Sequence, residues 1–130
     1  MKRLELIMGR NIPDSGTVSD QMINDFIKNE IIPHFEYGTF IDGEGLWKGE
    51  FENTKIFYIE VPESEAIATS VLLKHIADKY RKAFRQESVL VSEVSTQTTF
   101  VWVHALYLIL YKGNQTYAKP LLQQSDSLLR

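Results

Sequence analysis

The chain has 130 residues, a net charge of −3 and no cysteine. That length supports one domain with a real core, and the missing cysteine excludes disulfides, thiolate nucleophiles and cysteine-based zinc sites. The acidic balance argues against a non-specific nucleic-acid surface, which needs an excess of Lys and Arg on one face. The segment Met1-Lys2-Arg3-Leu4-Glu5-Leu6 starts like a secretory signal but meets Glu5 and Arg10 before any apolar stretch, so an unprocessed, cytoplasmic chain is expected. The longest apolar run, Val101 to Leu110, is broken by His104 and reaches about half the ~20 residues of a spanning helix, so no membrane segment is expected.

Arg3 to Met8 has the alternation of a strand, with Leu4, Leu6 and Met8 on one side and Glu5 and Ile7 on the other. Gly9 and the loop Asn11-Ile12-Pro13-Asp14-Ser15-Gly16 end it. Ser19 is a good N-cap and Asp20 suits the positive end of a helix dipole. Met22, Ile23, Phe26, Ile27 and Ile31 then form an apolar stripe that Pro33 stops. Thr39 to Lys48 is a second strand in which Gly43 and Gly45 suggest a bulge or a close backbone approach. Gly49 to Asn53 is expected to be a hairpin loop and Lys55 to Val61 a third strand. Pro62-Glu63-Ser64 opens a second helix with a stripe of Ala68, Val71, Leu72, Ile76, Tyr80, Ala83 and Phe84, ending near Gln86, and Ser88 to Thr96 is a fourth strand.

The order β-α-β-β-α-β predicts an α+β, ferredoxin-like domain over 1–100: a four-stranded antiparallel sheet, both helices on one face, strands 1 and 3 side by side in the middle. Residues 101–130 are expected to be an extension that packs on the sheet or on a partner subunit and frays at its end. Strands 1, 3 and 4 carry apolar residues on both sides, and two helices cover only one face. The uncovered face is therefore expected to be buried by the extension or by a second copy, with a homodimer preferred.

Chain direction gathers Arg10, Trp47, Lys48, Gln86, Glu87 and Ser88 at one end of the sheet and sends His34, Phe35 and Tyr37 to the other. In a functional reading of that rim, Arg10 binds a carboxylate or phosphate and Trp47 and Tyr58 line a pocket. Gln86 supplies an amide there, and a desolvated Glu87 is the proton acceptor. In the structural reading of the same residues, Arg10 and Glu87 close as an ion pair under Trp47 while Gln86 caps the second helix. The carboxylates Asp42, Glu44, Glu50 and Glu52 read best as a solvated hairpin, since no Ca²⁺- or phosphate-loop spacing is present. His34, His75 and His104 lie on separate elements without ligand spacing, so neither a metal nor a cofactor is expected. The adjacent Phe57 and Tyr58 point to opposite faces and no basic ribonucleoprotein motif accompanies them, which argues against RNA binding.

The blocks Met8-Gly9-Arg10, Val18-Ser19, Pro33-His34-Phe35, Gly38-Thr39, Asp42 with Gly45-Leu46-Trp47-Lys48, and Phe84 to Leu90 resemble the bacterial domain-of-unknown-function family DUF3574. Its members carry Phe-Gly, Pro-Arg-Phe, Gly-Gln-Trp-Arg and Gln-Glu-Ser-Val-Leu at these places, and the resemblance runs in the same order from about Leu4 to Phe100. His34 stands where the family has Arg, Leu46 where it has Gln, and Lys48 where it has Arg. Asn53-Thr54-Lys55 replaces a Glu-Arg-Ser stretch, and the segment after Phe100 has no counterpart. The resemblance implies the fold and the rim positions and supplies no chemistry. Two functions are left open: a homodimeric module or cofactor-independent enzyme for a small-molecule ligand, and a structural or protein-interaction domain.

Overall fold

Strand β1 (Lys2–Gly9) shows why the chain folds as it does. Leu4, Leu6 and Met8 are fully buried while Arg3, Glu5 and Ile7 between them are not, the period-two signature of a strand with one face on a core. In the computed structural model, which describes residues 1–102, β1 is followed by α1 (Asp20–Phe26), β2 (Thr39–Trp47), β3 (Glu50–Val61), α2 (Ala66–Ala83) and β4 (Leu90–Ser95). The strands form one sheet in the order β2-β3-β1-β4, every pair antiparallel, with β1 and β3 in the middle and the two helices over one face. This is the ferredoxin-like arrangement. The chain divides into two compact units, Met1–Gln97 and Thr98–Arg130. What was expected of the extension concerns, from residue 103 onward, a part that lies outside the described residues.

The core lies between sheet and helices. Leu4, Leu6 and Met8 of β1 and Phe57, Ile59 and Val61 of β3 meet Ile23, Phe26 and Ile31 from the first helical segment and Leu73, Ile76 and Tyr80 from the second. Each such large side chain, fully buried, contributes about 1.5–3 kcal/mol. Tyr80 is the centre: its ring sits edge-on to Phe26 at 5.1 Å and beside Phe84 at 4.9 Å, and its hydroxyl donates to the Gly9 carbonyl at 2.7 Å.

The elements differ from the sequence reading in several places, each for a local reason. The face that α2 buries runs through Ala66, Leu73, Ile76, Ala77 and Tyr80, whereas Val71 is 63% exposed. The true stripe is rotated because it starts at Ala66 rather than Ala68. After Phe26 the first helix widens into a π turn over Ile27–Ile31, and that wider turn returns Ile31 to the core five residues on. The segment from Gly49 to Asn53 is not a hairpin loop. Trp47 pairs directly with Glu50, and Lys48 and Gly49 make a two-residue turn with φ of 51° and 83°. Positive φ at both central positions matches the right-handed twist of the strands it joins. The β2–β3 register runs without interruption through Gly43 and Gly45, so neither marks a bulge.

Helix α2 ends earlier than Gln86, and its end sets up the site. Phe84 N–H donates to the Tyr80 carbonyl, Arg85 takes a left-handed φ of 52°, and Gln86 N–H reaches back to the Arg81 carbonyl at 2.9 Å. This closes the helix with the reversal usually made by glycine and throws Gln86-Glu87-Ser88 toward the edge of β1. Among the described residues no helix is long and apolar enough to cross a membrane.

Candidate functional site: a glycine-floored cleft on the sheet face away from the helices

The face of the sheet away from the helices has two unlike halves. At the Lys2 end, Arg3 donates to Glu60 at 2.8 Å, lies 3.8 Å from Glu5 and stacks its guanidinium 4.0 Å from the centre of the Tyr58 ring. Charges there are satisfied in the plane of the sheet. At the Gly9 end, alternation brings Gly9, Gly43 and Gly45 to the same face, and no side chain rises from any of them. A Cβ on Gly43 would have no atom within 4 Å. The result is a cleft of about 600 Å³. Its apolar sides come from Ile7, Ile56, Trp47 and Leu90, and its polar edge from Asn11, Gln86, Glu87, Ser88 and Lys48.

Gln86, Lys48, Glu87 and Glu52 are each placed by a definite contact. The Gln86 amide donates to the Asn11 carbonyl at 2.7 Å and to Phe84 at 3.2 Å, tying the α2–β4 joint to the loop after β1. Lys48, at the hairpin tip, puts its ammonium 2.6 Å from the Glu87 carboxylate and 6.0 Å from the centre of the Trp47 ring. Glu52 lies across Gly9: a Cβ there would sit 2.6 Å from the carboxylate, and the same carboxylate accepts from the Asn11 N–H at 3.0 Å. Gly45 leaves room for the Thr54 hydroxyl, which a Cβ would approach to 2.7 Å.

Of the rim residues picked out in the sequence, Trp47, Gln86 and Glu87 line this one cleft. Arg10 and Tyr58 do not. The Arg10 guanidinium turns to the helix side, donating to the Val18 carbonyl at 2.8 and 3.0 Å and to Asp20 at 2.8 Å. That hydrogen bond and the guanidinium charge hold the Asp20 carboxyl below its ordinary range. Arg10 therefore fastens the start of α1 to the end of β1 and points neither into the cleft nor at Glu87. The ion pair that closes the rim is Lys48–Glu87 instead. Tyr58 belongs to the Arg3 network at the far half of the face.

Sequence reasoning missed Glu52, placed among the solvated hairpin carboxylates. Asp42 does point outward and pairs with its cross-strand neighbour Lys55 at 2.6 Å. Glu52 lies on the opposite face of the hairpin, over the cleft. The signal available was its parity with Thr54 and Ile56, legible only once β3 is known to start at Glu50. Among the described residues no three His, Cys, Asp or Glu side chains converge as a metal site requires.

Two solved structures share the fold. One is a phage SAM lyase in complex with S-methyl-5′-thioadenosine, with a TM-score of 0.53 at 18% identity, covering 72% of this chain and 80% of that one. The other is a phage SAM lyase in its apo state, with a TM-score of 0.51 at 18% identity, covering 78% of this chain and 92% of that one. No curated protein sequence matches this chain. A family profile, described as a protein of unknown function (DUF3574), matches residues 3–100. With most of the chain inside that match, including the sheet, both helices and every residue of the cleft, the protein is a member of the DUF3574 family.

Proposed function

We propose that this protein binds a small organic molecule in the cleft at the glycine-floored end of the sheet face away from the helices. Trp47 is the stacking wall, Gln86 the fixed amide, and Glu87 and Glu52 the carboxylates for charge recognition or for proton transfer without a cofactor. In this reading Arg10 positions the loop after β1 and does not touch the ligand. The observation that carries the proposal is the cleft: about 600 Å³, within the roughly 300–1,000 Å³ of small-molecule sites, with apolar walls and a few convergent polar groups. Its glycines support the same reading. Gly43 adopts a backbone conformation open to any residue and has free space above it, so its missing side chain serves neither turn nor packing.

The test is a thermal-shift screen of metabolites, with S-methyl-5′-thioadenosine among the first probes because it occupies a protein of the same fold. A ligand at a hundred times its Kd raises stability by about 2.7 kcal/mol. Wild type should shift, and Gly43→Leu, which fills the cleft without disturbing the core, should not. A shift that survives Gly43→Leu places the binding elsewhere; a screen without any shift removes the proposal.

An interaction domain that pairs with a second copy is the other reading. It is favoured by the exposure of Ile41 and Leu90 on the same face. The charged Arg3–Glu60–Glu5 half limits such a pairing to the remainder of the face. Light scattering decides it: a monomer at all working concentrations rules the homodimer out.

A further inference from the structure

We infer that the ligand of this cleft is an organic cation, seated between the Trp47 ring and the Glu87 carboxylate where the protein's own Lys48 ammonium now rests. The inference rests on the small-molecule reading above and names the chemical class that fits it.

The first observation is an unbalanced charge. Among the described residues, Glu50, Glu52, Glu87 and Asp14 line the cleft against Lys48 alone. Glu44 also borders it, but strand alternation turns its side chain to the other face of the hairpin. The cations that might have neutralised the cleft are engaged elsewhere: Arg10 by Asp20 and Val18, Lys55 by Asp42. Apolar walls beside carboxylates in excess of cations focus a negative potential inward.

A cation already at the seat is the second, independent observation. The Lys48 ammonium lies 2.6 and 3.0 Å from the two Glu87 carboxylate oxygens and 6.0 Å from the Trp47 ring centre. Carboxylate and indole face together are the two partners that hold a desolvated organic cation. Lys48 is poorly committed to this place. Its side chain is 66% exposed, and it stands at the tip of a two-residue turn with no role in the core. An incoming cation takes over Glu87 and the indole while the Lys48 ammonium swings into water, so charge is exchanged and no buried group is stranded. The neighbouring walls, Ile7, Ile56 and Leu90, suit a ligand whose charge is carried on an apolar or ring-bearing body, such as a quaternary ammonium, a sulfonium or a guanidinium. Among the described residues, an anion would meet Glu50, Glu52 and Glu87 with Lys48 as the one counter-charge in the lining.

The experiment is a proton–nitrogen correlation NMR titration that follows the Trp47 indole N–H and the amides of Gly43, Gly45 and Glu87. Three probes are used: choline, its uncharged isostere with a tert-butyl group in place of trimethylammonium, and adenosine as a neutral ring. Choline should move these resonances at concentrations roughly tenfold below the isostere, the factor that corresponds to one cation–π contact with partial desolvation. Lys48→Gln, which removes the resident competitor, should tighten choline binding several-fold, and Glu87→Gln should weaken it roughly tenfold. Both residues are exposed on the rim, so neither variant threatens the fold. Equal binding of choline and its isostere overturns the cation inference, as does weaker choline binding in Lys48→Gln. If adenosine moves the cleft resonances and choline does not, the small-molecule reading stands and the cation inference falls. If no probe moves them, both fall.

Discussion

Tyr80 carries more of the structure than any other single side chain. It is wholly buried, packs against two phenylalanines and donates its hydroxyl proton in a hydrogen bond to the carbonyl of Gly9, a residue of the cleft floor. Burial pushes its phenol well above the ordinary tyrosine range. The folded pKa is thus raised above the unfolded value of about 10, so stability is fully present below that value and is lost as pH rises beyond it. Tyr80→Phe should cost about 1 kcal/mol at neutral pH through the unsatisfied carbonyl, and should flatten the alkaline limb. Urea denaturation of both proteins across the alkaline range checks this; a parallel loss in the two would show that another group governs it. Gly38 is a second test at this scale. Its φ is 154° and a Cβ would overlap the Phe57 ring, so Gly38→Ala should destabilise by about 2 kcal/mol. Gly43→Leu, with open space above it, should leave the melting temperature nearly unchanged.

The helix ends decide how the elements meet. Ser19 accepts from the Met22 N–H at 3.1 Å while its own N–H turns to the Met22 sulfur at 3.5 Å, a capping box with methionine in the place usually held by glutamate. Ser19→Ala should cost about 1 kcal/mol, read from the denaturation midpoint at unchanged slope. At the other end of the helical layer, Arg85 holds a left-handed conformation that costs a non-glycine residue about 1–2 kcal/mol. Arg85→Gly should therefore raise stability by about 1 kcal/mol, and a drop in the melting temperature would mean the Arg85 side chain makes a compensating contact. The turn it makes delivers Gln86 to Asn11 and Glu87 to Lys48, so this one residue's conformation sets the polar edge of the cleft. The Lys48-Gly49 turn does the same for the opposite side, since a longer loop would have carried Trp47 out of the sheet.

At the level of the described residues, the sheet face away from the helices is where fold and the proposed function meet. In its polar half Arg3 bridges Glu5 and Glu60, and its apolar half surrounds the cleft. If two copies pair, they pair around the cleft, and ligand binding and association share residues such as Leu90. Replacing Ile41 by Lys, outside the cleft lining, should then convert a dimer to a monomer by light scattering while leaving the melting temperature within a few degrees. A dimer unaffected by Ile41→Lys would place the contact on another surface. Ligand binding should persist in that variant if the cleft is complete within one copy.

The α+β class, the strand order and the end of the sheet where Trp47, Gln86 and Glu87 collect were legible in the sequence. They follow from periodicity and chain direction, which are local properties. The recurrence of the same blocks in the DUF3574 family agrees with them. Side-chain partnership was not legible, because it depends on which face each residue takes and on where its competitors lie. Arg10 had two carboxylates to choose from, and the tertiary structure gave it Asp20 at the start of α1, on the helix side, leaving Glu87 to Lys48. Glu52 joined the cleft only because a two-residue turn extended β3 to Glu50 and fixed its parity. Three glycines scattered from residue 9 to residue 45 became one floor only when β1 and β2 were laid on either side of β3. Local pattern sets what each segment becomes; the competition among distant partners for one charge or one face is resolved by packing alone.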